Sequence, residues 1–450
     1  MCVNVSIVSR LCLLAACIFS LGCNTEQQDV AATSKAESNA RENSRVNPAT
    51  GTGRLLIVGG ALRSDNRPVY QAFIDSVPAA YPTVAIVPAA SGRPAHYAKQ
   101  FADDLRAFGF EGEVRILPIA VKDDPSTEAV DESQWRDGGQ DQHLADSLQD
   151  VGGIWFVGGD QTRTTDTLLT AEGEDTPVLN AIRSQLSRGA VVGGTSAGAA
   201  IMSHTMIAAG DSLSALTLPA VTEYAGMESQ ESGQLLLRRG LGFLPVGIVD
   251  QHFDRKARLG RLVRALGHSA ESFQQIGFGV DEDTALLVDL QGKTMEVLGA
   301  GNLVVADGRN ARFTGTDDSG QGFAVKGIQI SVLSAGDSLN WEDGKVTALG
   351  SQTLGSEAFG YRATQGSGIA LANSRLDHLL GFSLLDNSEM RELRRYSFDD
   401  TSGRGVIFRF RQTDESRGYW RYGSGTKDQY SVVGVAMDIE PVTISVALGH

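Results

Sequence analysis

Val191-Val192-Gly193-Gly194-Thr195-Ser196-Ala197-Gly198-Ala199-Ala200 is an apolar run that ends in glycines, presents one serine and passes into small residues suited to a helix. Gly194-Thr195-Ser196-Ala197-Gly198 has the layout of a nucleophile elbow, in which a strand turns sharply into a helix and holds one hydroxyl at the tip. The flanking glycines are needed because a side chain there would collide with the tight turn. The helix start offers free N–H groups and a positive dipole end, both suited to an oxyanion.

Working outward, similar apolar runs occur at Arg54–Gly60, Thr83–Pro88, Val114–Ile119 and Gly153–Gly159, with a helix expected over Tyr97–Phe108. Near-continuous apolar runs suit strands buried on both faces of a parallel sheet, and helical stretches between them imply an α/β layered fold. Ligands of such sheets bind beyond the carboxyl ends of the strands. Gly158-Gly159-Asp160-Gln161 and Ser196 both lie at such ends and are expected to share a cleft. Alternating segments such as Val406–Arg411 and Val442–Leu448 predict a small C-terminal β-rich module. In it Tyr419, Trp420 and Tyr422 are read as a packed hairpin.

The chain has 450 residues, 42% apolar and 21% charged, enough for one large domain and an extra module. A net charge of −15 argues against nucleic acid as a partner. All four cysteines, Cys2, Cys12, Cys17 and Cys23, precede residue 24, so the rest of the chain has no thiol for a disulfide, a metal or a nucleophile. Arg10, the apolar run Leu11–Leu21 and Gly22-Cys23 form an export signal, too short for a permanent span. Cys23 sits where a bacterial lipoprotein is lipidated, with Ser20 in place of the usual leucine, and Cys17 is the alternative. The expected organisation is a lipoprotein signal over 1–23, a flexible tether over 24–53, a catalytic α/β domain over 54–338 and the β-rich module over 339–450. The protein is then an exported lipoprotein of the outer membrane, periplasm or cell surface, held to the membrane by its lipid.

A serine hydroxyl needs a base, and the base needs an orienting carboxylate. Of seven histidines, His252 has the most informative surroundings, Ile248-Val249-Asp250-Gln251-His252-Phe253-Asp254-Arg255-Lys256, an apolar run ending in a polar cluster. Leu259, Leu262, Val263 and Leu266 follow on one helical face, which puts Arg261 and Arg264 on the opposite, solvated face. Carboxylates cluster at Asp281, Glu282 and Asp283 after another strand-like run. An α/β-hydrolase would instead use a late histidine such as His378 or His450.

Together the motifs GGDQ, GGTSAGA, DQHF followed by R-L-x-R-L, and D-E-D-T-A-L resemble, in order and over about residues 54–335, the serine peptidase family of cyanophycinase and aspartyl dipeptidase. The resemblance implies a parallel α/β sheet with flanking helices, like class I glutamine amidotransferase domains (flavodoxin-like). It implies a triad of Ser196, His252 and Glu282, with Ala197 and Gly159 as oxyanion donors. Asp160, Gln161, Asp250, Gln251, Arg255, Lys256 and Arg258 would bind substrate. Lys256 departs from the family pattern, which has arginine there, and a lysine cannot grip a carboxylate bidentately. The substrate implied is cyanophycin, a polyaspartate carrying arginine on its β-carboxyls, released as β-Asp-Arg dipeptides. An aspartyl or isoaspartyl dipeptidase, or a surface lipoprotein that binds ligand without catalysis, are the alternatives. No cofactor or metal is called for, and a homodimer follows by analogy.

Overall fold

The computed structural model describes residues 3–5, 52–268, 274–315, 322–365, 375–423 and 427–446. Cys23, Cys17, His450 and most of the expected signal and tether lie outside the described residues.

Five parallel strands form one side of a nine-stranded sheet, out to its edge. Their order across it is Arg54–Val58, Val191–Thr195, Gly153–Phe156, Thr83–Val87 and Glu113–Ile116. The apolar runs read around residues 54–60, 83–88, 114–119, 153–159 and 191–195 supply these strands, and the expected helix runs over Pro94–Ala107, with Pro94 opening it. The sheet is not parallel throughout. Thr284–Asp289 pairs antiparallel with Arg54–Val58, and Thr294–Gly299, Ser338–Asn340 and Val346–Thr347 extend that edge, so the sheet is mixed.

Packing holds the helices to the sheet. Phe101 of helix Pro94–Ala107 stacks flat on Trp155 at 4.0 Å, and Phe73 of helix Arg67–Ser76 meets Trp155 edge-on at 5.4 Å. A Cβ on Gly193 would lie 2.8 Å from the Trp155 ring, so that glycine makes room for the indole. Burying such aromatic pairs contributes about 0.5–1.5 kcal/mol each beyond their area.

Ile248–Asp250 and Ile276–Val280 do not join this sheet. They pair in parallel with each other at one end of an eleven-stranded sheet. That sheet continues through Asn302–Asp307 and Ala324–Ser334 to the long strand Asp428–Val446, on which Arg404–Arg411 and Arg417–Tyr422 also pair. The expected β-rich tail is therefore present, and its strands share a sheet with strands that precede residue 338. In the hairpin Trp420 packs on Tyr422 at 4.7 Å. The turn Asp281–Asp283 links the two sheets, leaving Ile276–Val280 in one and entering Thr284–Asp289 in the other.

Candidate active site

Ser196 ends strand Val191–Thr195 with φ 54° and ψ −108°, directly before the short helix Ala197–Ala200. A non-glycine residue in this region stores on the order of 1–3 kcal/mol of strain, held by its surroundings. Here the Ser196 N–H donates to the Val58 carbonyl at 3.0 Å, while its carbonyl accepts from Ala199 N–H at 2.9 Å. A Cβ on Gly194 would fall 2.6 Å from the Gly198 carbonyl oxygen, and one on Gly198 would fall 2.5 Å from that of Phe156. Both glycines of the motif are thus steric requirements of the turn.

His252 arrives from the end of strand Ile248–Asp250 with φ 46°, its N–H donating to Gly59 carbonyl at 2.7 Å. Its Nε2 is 2.9 Å from Ser196 Oγ and its Nδ1 is 2.7 Å from Glu282 Oε1. A carboxylate only accepts, so Nδ1 carries the proton and Nε2 is left to accept from the serine hydroxyl. Burial pulls the imidazole below its ordinary value; the Glu282 hydrogen bond opposes this, and the charges of Lys256 and Arg258 add to it. The ring is therefore neutral near pH 7, as a base must be.

The three neighbouring acids have different surroundings. Asp281 is buried, accepts the N–H groups of Asp254 at 3.0 Å and Asn302 at 2.9 Å, and is pushed up to about 7 by burial and by Asp254. Asp283 accepts from Arg63 N–H at 3.0 Å and Asn66 Nδ2 at 2.8 Å. Glu282 alone of the three reaches His252, and its second oxygen meets Arg255 Nη1 at 3.3 Å. His378 stacks on Phe382 at 4.5 Å in the helical segment Asp377–Leu385.

The profile of peptidase family S51 matches residues 55–297, more than half of the chain. This protein belongs to peptidase family S51. The cyanophycinase of Trichormus variabilis is 31% identical to it over 296 residues, 65% of this chain and 87% of that protein. That of Nostoc sp. is 30% identical over the same length and coverage, and that of Geminocystis herdmanii 29% over 290 residues, 64% of this chain and 93% of that one. A peptidase structure from an acI-B1 Actinobacterium covers 65% of this chain and 99% of its own, at TM-score 0.42 and 19% identity.

In this S51 chain Ser196 and His252 line a cleft of ≈ 380 Å³ together with Gly158 and Gly159. A Cβ on Gly158 would sit 3.3 Å from Ser196 Cβ, so that loop's backbone lies against the serine. Ala197 opens the short helix beside it. Asp160, Gln161, Asp250, Gln251 and Arg258 are buried rather than on the lining. Asp160 caps helix Gln161–Leu168 by accepting from Thr162 N–H, and Gln161 donates to the carbonyls of Ile207 and Ala208. Arg258 donates to Gln251 carbonyl at 2.7 Å and to Glu231 at 3.1 Å, while Lys256 pairs with Glu231 at 2.5 Å. Arg255 is mostly exposed, over Glu282.

Arg261 and Arg264 overturn the expected solvated face, since both are buried. Arg261 grips Asp250 with two hydrogen bonds of 2.6 and 2.7 Å and donates to the carbonyls of Gly210 and Gln230. Burial raises the Asp250 carboxyl, but the charges of Arg261 and Arg258 outweigh it and hold it below the usual range. Arg264 lies over the Phe323 ring at 5.1 Å. Sequence reasoning also passed over Gly60, whose signal was the Gly59-Gly60 stop, and Glu231, which had none.

Proposed function

We propose that this chain is a serine peptidase that hydrolyses cyanophycin to β-Asp-Arg dipeptides through Ser196, His252 and Glu282. The observation that carries the reading is the continuous hydrogen-bonded relay from Ser196 Oγ through His252 to Glu282, at the wall of a cleft. The similarity to cyanophycinases supports the choice of substrate.

In the first half-reaction Ser196 Oγ attacks the scissile carbonyl as His252 Nε2 takes its proton. The oxyanion is held by the N–H groups of Ala197 and Gly159. The C–N bond breaks as His252 returns that proton to the leaving amine. Water then attacks the acyl-serine with His252 again as base, and the carboxylate product leaves. Glu282 keeps the imidazole in the correct tautomer and stabilises its charged form. Held in a neutral state by burial, His252 is ready for the first step without prior deprotonation.

Export as a lipoprotein modified at Cys23 belongs to the same proposal and rests on the N-terminal sequence. A β-rich module after about residue 338 and a sheet of glutamine amidotransferase type are also proposed, the first from the change of sequence pattern and the second from the family resemblance, with strands Ser338–Asn340 and Val346–Thr347 still on the catalytic sheet. The test is incubation with insoluble cyanophycin and mass spectrometry of the soluble products. β-Asp-Arg released by the wild type and not by Ser196→Ala supports the proposal; release of free arginine, or equal activity in the variant, refutes it.

A further inference from the structure

The cleft beside Ser196 has walls that the relay does not use. One face of helix Pro94–Ala107 supplies Tyr97, Gln100, Phe101 and Asp104, spaced by three and four residues. Tyr70 and Trp155 continue an aromatic wall with Phe101, at ring distances of 5.9 and 4.0 Å from it. The described lining holds one carboxylate, Asp104, and neither lysine nor arginine.

Among the described residues Asp104 is paired with no cation. Its Oδ2 accepts from the Tyr70 hydroxyl at 2.7 Å and from Ser64 Oγ at 3.0 Å. Among the described residues no hydrogen bond reaches Oδ1 and no ion pair includes Asp104. Both partners are neutral, and they aim the carboxylate without balancing it. Burial and Asp104 itself raise the Tyr70 phenol, so Tyr70 remains a donor. Asp104 also stands in the last turn of its helix, where the dipole disfavours an anion.

We infer that Asp104 and the aromatic wall form a subsite for a guanidinium on the substrate, next to the bond that Ser196 attacks. A planar, weakly hydrated guanidinium stacks on rings such as the half-exposed Tyr97 and fits a carboxylate oxygen that is open. A substrate carboxylate placed there would face Asp104 with no lining cation to offset it. The specificity of the cleft is therefore for a cationic side chain rather than for the free acid of a plain aspartyl peptide. This rests on the reading of Ser196 as the nucleophile only for its link to turnover.

The test has a kinetic and a binding arm, both on the full chain. The substrates are a β-aspartyl-arginine polymer and its counterpart with citrulline, the neutral isostere. Wild type favours the arginyl form by about tenfold to a hundredfold in kcat/KM, mostly through KM, as expected for a hydrogen bond to a charged group. Asp104→Asn, which keeps an acceptor for Tyr70 and Ser64, brings the two substrates to within about threefold. Tyr97→Leu, at the exposed wall, lowers the arginyl preference by about threefold. In the binding arm, calorimetry of Ser196→Ala with β-aspartyl-arginine and β-aspartyl-citrulline gives the same preference, lost in Ser196→Ala/Asp104→Asn. Equal affinity for the two dipeptides, or a preference that survives Asp104→Asn, overturns the subsite. Absence of hydrolysis with the binding preference intact overturns the nucleophile assignment and leaves the subsite standing.

Discussion

Gly60 and His252 are in such close contact that a Cβ on the glycine would lie 2.4 Å from both Cε1 and Nε2 of the imidazole. The same glycine has φ 106°, a conformation closed to most side chains. Backbone at the end of strand Arg54–Val58 therefore forms one wall of the slot that aims the ring at Ser196. Gly60→Ala should push Nε2 out of line and cut kcat by about 10²-fold, the usual cost of an error near 1 Å. It should also destabilise the fold by more than about 1 kcal/mol, because alanine is strained at this φ. Steady-state kinetics and a urea titration check the two effects; a variant with wild-type kcat would remove Gly60 from the aiming of His252.

Glu282→Gln leaves a hydrogen-bonding group of the same shape but no longer specifies which ring nitrogen is protonated. The expected loss in kcat is about 10⁴-fold, with KM little changed. A loss below tenfold would mean that another group orients the ring.

Because burial, Lys256 and Arg258 together hold His252 below its ordinary value of 6.5, the acid limb of kcat/KM should lie below pH 6.5. Protonation on that limb removes the base, so activity falls as pH falls. Lys256→Met removes one lowering charge and should move the limb upward. A limb that stays in place, or moves down, contradicts this electrostatic account.

Asp281 makes the opposite kind of statement, one about stability. Its carboxyl is raised in the folded protein to about 7 from an ordinary 3.8. A group raised on folding contributes stability that is complete below pH 4 and is lost as pH rises through 7, on the order of 4 kcal/mol for this shift. Asp281→Asn cannot ionise and should flatten the fall in urea midpoint between pH 5 and 8. A variant whose midpoint falls as steeply as the wild type's over that range would show that Asp281 is ionised throughout.

Arg261 neutralises a fully buried carboxylate, so Arg261→Met should cost about 3–5 kcal/mol by stranding Asp250. Arg261→Lys should recover only part of that, since an ammonium cannot make the two-point grip. Thermal melts of both variants decide it; two variants as stable as the wild type would show that the pair holds nothing together.

Much of the site was open to sequence reasoning, for identifiable reasons. Strand ends were marked by glycine stops, and chemistry-bearing residues cluster at such ends, which is why Ser196, His252 and the 281–283 acids stood out. Strand pairing left no such mark. The three-residue strand Ile248–Asp250 says nothing about its neighbour, so His252 and Ser196 were not recognisable as coming from different sheets. Arg261 and Arg264 misled because a helical period shows where the apolar stripe lies, not whether the other face is covered too. Here Asp250, two carbonyls and Phe323 cover it. Asp104 carried no motif at all, and only the fold sets it at the cleft.

The most direct test is labelling with a fluorophosphonate followed by peptide mass mapping. One adduct is expected, on Ser196, absent in Ser196→Ala and formed at least about 10²-fold more slowly in His252→Ala. An adduct on another residue, or undiminished labelling of Ser196 without the imidazole, would contradict a serine activated by His252.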